Sequence, residues 1–241
     1  MILKYFSFLQ HLTIIKILFN LWIRFYYWHM NYDYNKVVII GMRGEMGSGK
    51  DTVGNYLVNN YGFVRVAFAD TLKEACKLIF QLTDEQVYGN LKEVIDPYWQ
   101  HSPRELLQRV GTELFRDELP KHCKNISDNV WIRSIERQIQ NLRKKGYTKF
   151  VITDVRFPNE IDFIIKNSSC DRHDCFSCFG THTLLWKTIR ERSIPSESHT
   201  LKHVSETMVD NYSNMQIFNN DSSLNNLYHQ VDFQIAKMLK K

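Results

Sequence analysis

The chain has 241 residues, 44% of them hydrophobic and 24% charged, with a formal net charge of +5 at pH 7. That length suits one α/β domain with a sizeable core, and so balanced a charge speaks against a disordered chain and does not argue for a nucleic-acid-binding groove. The 5 cysteines are odd in number and no convincing secretory signal precedes them, so a disulfide framework is not expected and a reducing, cytoplasmic compartment fits better.

Residues 1–35 are the most apolar part, but Lys16 and Arg24 interrupt them. A stable bilayer span, which needs about 20 mostly apolar residues, is therefore not expected. An interfacial anchor, a partner-binding or packed helix, and an upstream extension outside the fold all remain open, the last favoured by Met30 just ahead of the first strand. One domain is expected over 36–241. Lys36 to Gly41 is a β-branched run typical of a strand buried on both faces, and it ends in a glycine-rich turn. Thr52 to Asn60 reads as a helix and Phe63 to Phe68 as a second strand. A helix follows from Thr71 to Gln81 with Ala75, Leu78 and Ile79 on one face, then a polar connection over 83–102 with a short helix. Ser102-Pro103-Arg104-Glu105 opens a further helix with a capping serine, a first-turn proline and a glutamate three residues past the cap, running to about Leu119. Val130 to Lys145 is a helix stopped by Gly146, and Lys149 to Thr153 a third strand ending at Asp154. Leu184 to Ile189 and Met215 to Phe218 are the fourth and fifth strands, and Ser223 to Leu239 is the last helix. Strands alternating with helices imply an α/β fold whose mainly parallel sheet has helices on both faces.

Gly44-Glu45-Met46-Gly47-Ser48-Gly49-Lys50 has the spacing of a P-loop and lies between a buried strand and a helix, which makes a P-loop NTPase fold the expectation. In such a loop successive amides face inward, the following helix adds its positive end, and Lys50 reaches the β- and γ-phosphates, so a triphosphate is the natural occupant. The position after Lys50, usually Ser or Thr for Mg²⁺, is Asp51, with the hydroxyl delayed to Thr52. Mg²⁺ help is assigned to Asp51 and Thr52 jointly. No Asn-Lys-x-Asp segment reads guanine, and Asp154 is followed by Val155 rather than a glutamate, which disfavours GTPases and motor-type ATPases. A small kinase remains, with cations to hold a second phosphorylated substrate.

Candidate acceptor residues cluster at Phe68 to Lys73, at Arg104 through Gly111-Thr112, and at Thr153 to Glu160. Together with Gly-Lys-Asp-Thr at 49–52, Leu107 to Leu114, Lys202-His203-Val204-Ser205-Glu206 and the Asn-Asn-Asp-Ser-Ser-Leu stretch before the last helix, they resemble the deoxynucleoside monophosphate kinases of large tailed phages. The resemblance extends, with gaps, from about Val37 to the C-terminus. It implies that Lys50 and the amides of Gly47, Ser48 and Gly49 bind ATP. It also implies that Leu72, Lys73, Arg104, Gly111, Thr112, Trp131, Asp154, Arg156 and Glu160 surround a small-molecule deoxynucleotide, with Lys50, Arg104, Asp154 and Arg156 as the catalytic set. Their chemistry agrees: arginines grip phosphate bidentately, an indole can stack on a base, and a carboxylate accepts from a base edge or sugar hydroxyl. Arg104 and Lys73 could equally be solvated helix residues and Trp131 plain core. Arg190 and Arg192 could belong to a phosphate-clamping lid or to a surface loop.

The chain departs from the family pattern at Met46 and Gly47, where phage enzymes carry basic residues, and in a shorter 83–102 connection. Residues 168–183 look like an insertion. There Cys170, His173, Cys175, Cys178 and His182 could supply zinc ligands or be an exposed loop with free thiols. The activity implied is ATP- and Mg²⁺-dependent phosphorylation of deoxynucleoside monophosphates for DNA synthesis, with no nucleic-acid partner and with room for a homodimer. A kinase of another phosphorylated metabolite, such as dephospho-coenzyme A, and a non-catalytic ATP-binding protein are the alternatives.

Overall fold

The structure is a computed structural model and describes residues 37–45, 47–123, 125–166, 182–190 and 215–239. Strand β1 (Val38–Arg43) is followed by helix α1 (Lys50–Tyr61), strand β2 (Val64–Val66), helix α2 (Phe68–Phe80) and the short helix α3 (Asp84–Val87). A 3₁₀ turn (Asn90–Glu93) leads to α4 (Pro103–Gln108), which runs into a π-helical segment (Arg109–Glu118) and then α5 (Leu119–His122). Helix α6 (Val130–Lys144), strand β3 (Lys149–Ile152), helix α7 (Pro158–Lys166), strands β4 (His182–Ile189) and β5 (Gln216–Asn219) and helix α8 (Leu224–Leu239) complete the order.

The five strands form one sheet in the order β2-β3-β1-β4-β5, and every pairing is parallel. Strand β1 is buried along its whole length, as a central strand covered on both faces must be. Alternate residues then point to opposite sides. Val38, Ile40 and Met42 join Val53 and Leu57 of α1 and Leu227, Val231 and Ile235 of α8. Ile39 joins Ile135 and Ile139 of α6 with Ile161 and Ile164 of α7. Gly41 lets α7 approach closely, because a Cβ there would lie 2.9 Å from Ile164 Cδ1. Among the described residues no helix is long and apolar enough to cross a membrane.

A parallel sheet places all five strand ends along one edge, and in open α/β sheets that edge is where ligands collect. The ends are Gly44 after β1, Ala67 after β2, Thr153 after β3, Arg190 after β4 and Asn220 after β5.

Several elements differ from the sequence expectation. Strand β2 stops at Val66 and α2 starts at Phe68, because the Asp154 carboxylate accepts from the Phe68 and Ala69 amides at 2.8 and 2.9 Å and so caps the helix early. The buried face of α2 carries Phe68, Leu72 and Cys76, four residues apart, while Leu78 and Ile79 are 75% and 62% exposed rather than core. Ser102 does cap its helix reciprocally with Glu105. That helix then widens into the π-helical segment and continues to His122, past Leu119. Helix α7 was not expected. Strand β4 starts at His182, two residues ahead of the expected Leu184.

Candidate active site

The P-loop turn is built by left-handed glycines, Gly47 at φ 77° and Gly49 at φ 101°, with α1 starting at the next residue. A Cβ on Gly49 would lie 2.4 Å from Asn220 Nδ2, so glycine is required there for space as well as for backbone conformation. The loop is held from outside. The Ser48 hydroxyl bonds Thr188 Oγ1 at 2.9 Å, and Asn220 Nδ2 donates to the Ser48 carbonyl at 2.9 Å. Arg190 Nε in turn donates to the Asn220 carbonyl at 3.0 Å. The ends of β4 and β5 thus buttress the turn, and Arg190 serves that support. Lys50 begins α1 with its side chain 12% exposed, Nζ lying 3.4 Å from the Glu45 carbonyl and 3.9 Å from the Asp51 carboxylate. Asp51 is 70% exposed and Thr52 half-buried, side by side in the first turn.

The segment after β3 is tied to the end of β1, just ahead of this loop, by two bonds. Val155 N donates to the Met42 carbonyl at 3.1 Å, and Arg43, buried at the end of β1, donates to the Arg156 carbonyl at 2.8 Å. Asp154 holds the start of α2 through the two amides already named. Burial pushes its carboxyl above the usual carboxylate range, while those amides and the nearby Arg156 pull the other way. Glu160 is almost fully buried. Its Oε1 takes the Arg116 guanidinium at 2.6 Å, and its Oε2 accepts from the Arg156 and Phe157 amides at 2.8 and 3.1 Å. The Arg116 guanidinium also lies 3.9 Å over the Phe157 ring. Glu160 raises its own pKa by burial, and Arg116 opposes that rise. These internal bonds differ from the base-edge or sugar contact expected of Glu160. The Arg156 side chain makes no hydrogen bond or ion pair among the described residues.

Of the residues expected around the acceptor, the structure brings Leu72, Gly111 and Trp131 together. Leu72 packs on Gly111, where a Cβ would meet its Cδ2 at 2.6 Å, and Trp131 Nε1 donates to the Gly111 carbonyl at 2.9 Å. Trp131 is 7% exposed and tilted against Phe115, so its surroundings match the core alternative rather than an open stacking platform. Thr112 is half-buried in the same segment. Lys73 lies 5.0 Å over the Tyr88 ring and makes no hydrogen bond or ion pair among the described residues. Burial lowers its pKa, with Asp70 and Asp154 acting in the opposite direction. Arg104 lies in the first turn of α4 and forms an ion pair with Glu93 of the 3₁₀ turn.

Arg43, Arg116, Thr188, Asn220 and Tyr88 were not singled out from sequence. Asn220 falls within the Asn-Asn-Asp-Ser-Ser-Leu stretch before the last helix; the other four carry no local signal. Met46, Arg192, residues 1–35, the Lys202 to Glu206 segment and the proposed zinc ligands from Cys170 to Cys178 lie outside the described residues.

No family model matches the chain. It is 43% identical over 132 residues, covering 53% of this chain and 68% of the relative, to an Acanthamoeba polyphaga mimivirus protein named as a deoxynucleotide monophosphate kinase. It is 25% identical over 195 residues to the deoxynucleoside-5′-monophosphate kinase of Escherichia phage T5, covering 56% of this chain and 74% of that protein. Among solved structures it is similar to a dephospho-CoA kinase from Campylobacter jejuni, with a TM-score of 0.42 and 14% identity over 85% of this chain and 98% of the other.

Proposed function

The chain belongs to the deoxynucleoside monophosphate kinases, and from that premise we propose that it moves the γ-phosphoryl group of ATP onto the 5′-phosphate of a deoxynucleoside monophosphate. The terminal P–O bond of ATP breaks, a new P–O bond forms to the acceptor phosphate, and ADP leaves with a deoxynucleoside diphosphate. The observation that carries this reading is the pair of cation sets at one edge of the sheet. Lys50 starts the helix behind a phosphate-cradling turn, while Arg156 and Lys73, after β3 and on α2, make no hydrogen bond or ion pair with a carboxylate among the described residues. Donor phosphates suit the first set and the acceptor phosphate the second.

An acceptor phosphate is already an anion, so no side chain is needed as a base, and positioning with charge neutralisation carries the rate. The turn amides and Lys50 hold the donor. Arg156 and Lys73 face the acceptor, Arg104 reaches it from the 83–108 side, and Leu72, Gly111, Thr112 and Trp131 shape the wall behind it. The hard oxygen donors of Thr52 and Asp51 fit Mg²⁺. Among the described residues no group of three carboxylates or imidazoles could hold a metal without phosphate and water ligands, which is the usual manner of magnesium in such sites. When bound, Mg²⁺ would offset charge on the β- and γ-phosphates.

In this reading the product supplies DNA synthesis, a cytoplasmic task. The test is a coupled assay of ADP release with dAMP, dCMP, dGMP, dTMP and dephospho-coenzyme A offered in turn. Turnover with at least one deoxynucleotide is expected. No turnover with any of them, or turnover with dephospho-coenzyme A alone, would refute the reading.

A further inference from the structure

Arg156 is held unusually on its two sides. Its amide is bonded by Glu160, its carbonyl by the buried Arg43, and its guanidinium makes no hydrogen bond or ion pair among the described residues. A solvated surface arginine needs no such clamp on its backbone. Glu160 can hold this amide only because Arg116 offsets its charge: a carboxylate this deeply buried without a cation would be strongly disfavoured. Arg116 comes from the π-helical segment that also carries Gly111 and Thr112. Such widened turns are rare and recur at functional sites. A buried ion pair adds little stability compared with well-packed apolar residues, so fixing geometry is the more natural use for this one.

We infer that Arg116 and Glu160 are positioning residues of the transfer site: the buried pair locks the Arg156 peptide so that its side chain extends toward the substrate phosphates from a fixed backbone, and Glu160 itself contacts no nucleotide. The inference rests on the kinase reading for what Arg156 binds, but the clamp can be tested without turnover. Both Glu160 oxygens already have partners inside the protein, which is why the nucleotide contact expected of it from sequence is replaced by a supporting one. Fixing the arginine's backbone before substrate arrives removes part of the entropy cost from the bound and transition states.

The experiment compares wild type with Arg116→Ala, Arg116→Lys, Glu160→Gln, Arg156→Ala and the double variant Arg116→Ala/Arg156→Ala. Values of kcat and KM are measured for ATP and for the best deoxynucleotide, and amide hydrogen exchange is followed across residues 154–157. Arg116→Ala is expected to lower kcat/KM for the deoxynucleotide about 10- to 100-fold while KM for ATP stays within about twofold, with partial recovery in Arg116→Lys. In the Arg156→Ala background the same change should cost nothing further, since its effect runs through the missing guanidinium. Exchange at the Arg156 amide should rise about tenfold or more with β1 and β3 unchanged. The same fold loss in both backgrounds would show a merely structural role and overturn the inference, as would unaltered exchange at 154–157. Should Arg116→Ala fail to fold, Arg116→Lys and Glu160→Gln, each paired with Arg156→Ala, carry the same comparison. A wild-type protein inactive on every deoxynucleotide would remove the kinase reading, while exchange would still decide the clamp.

Discussion

Asp154 offers a perturbation whose size follows from the structure. Its carboxylate accepts from the Phe68 and Ala69 amides, the first two of α2, at 2.8 and 2.9 Å. Asp154→Ala orphans both, and a buried donor left unpaired costs about 1–3 kcal/mol, so the gross loss is roughly 2–6 kcal/mol. Two effects pull the net figure down. The carboxyl is itself disfavoured by burial, so its removal returns part of that cost, and the residue is only half-buried, so water can reach the freed amides. A net destabilisation of about 2 kcal/mol is therefore expected, and somewhat less for Asp154→Asn, which keeps one acceptor oxygen. Urea unfolding is the assay, read as a lower midpoint at constant slope. The kinase activity of Asp154→Asn gives a second readout: if Asp154 also meets the substrate, kcat/KM falls far more than stability does. A midpoint unchanged in Asp154→Ala would refute the view that this carboxylate caps α2 and sets where β2 ends.

Lys50→Ala is expected to reduce turnover by orders of magnitude with little change in the thermal midpoint, because the lysine neutralises phosphate charge; full activity in the folded variant would exclude a P-loop mechanism. Arg104→Ala should raise KM for the deoxynucleotide far more than KM for ATP, and, since its ion pair with Glu93 is partly exposed, should shift stability by less than about 1 kcal/mol. Equal effects on both substrates would remove Arg104 from the acceptor side. Lys149 donates to the Tyr61 carbonyl at 3.0 Å, and burial pulls its pKa down to about 7. The folded chain then binds fewer protons there than the unfolded chain, so this lysine makes stability increase with pH from about 7 upward, and Lys149→Met should flatten that increase in thermal midpoints taken between pH 6.5 and 9. Identical pH slopes for the two proteins would refute it.

Much of the fold is local and could be read without coordinates. The β-branched run before Gly44, the glycine spacing through Lys50, the serine and glutamate of the 102–105 cap and the stop at Gly146 each depend on neighbours in the chain, where backbone preference and hydrophobic period act. Asp154 and Arg156 could be flagged for the same reason, as charges directly after a buried strand. Other features depend on which strands lie side by side. The order β2-β3-β1-β4-β5 brings Thr188 and Asn220 to a loop at residues 47–49, and sets Arg43 against a carbonyl more than a hundred residues away. Neither position carries a local pattern that names its partner. The face of α2 was decided in the same way: Leu78 and Ile79 have the right spacing for a core, but Phe68, capped by Asp154, turns Leu72 and Cys76 inward instead. Glu160 and Arg116 make the contrast plainest. A glutamate four residues past an arginine looks like a ligand in sequence, whereas tertiary packing buries it under a distant guanidinium and gives both its oxygens partners within the protein, because a buried carboxylate must take the nearest cation and amides the fold provides.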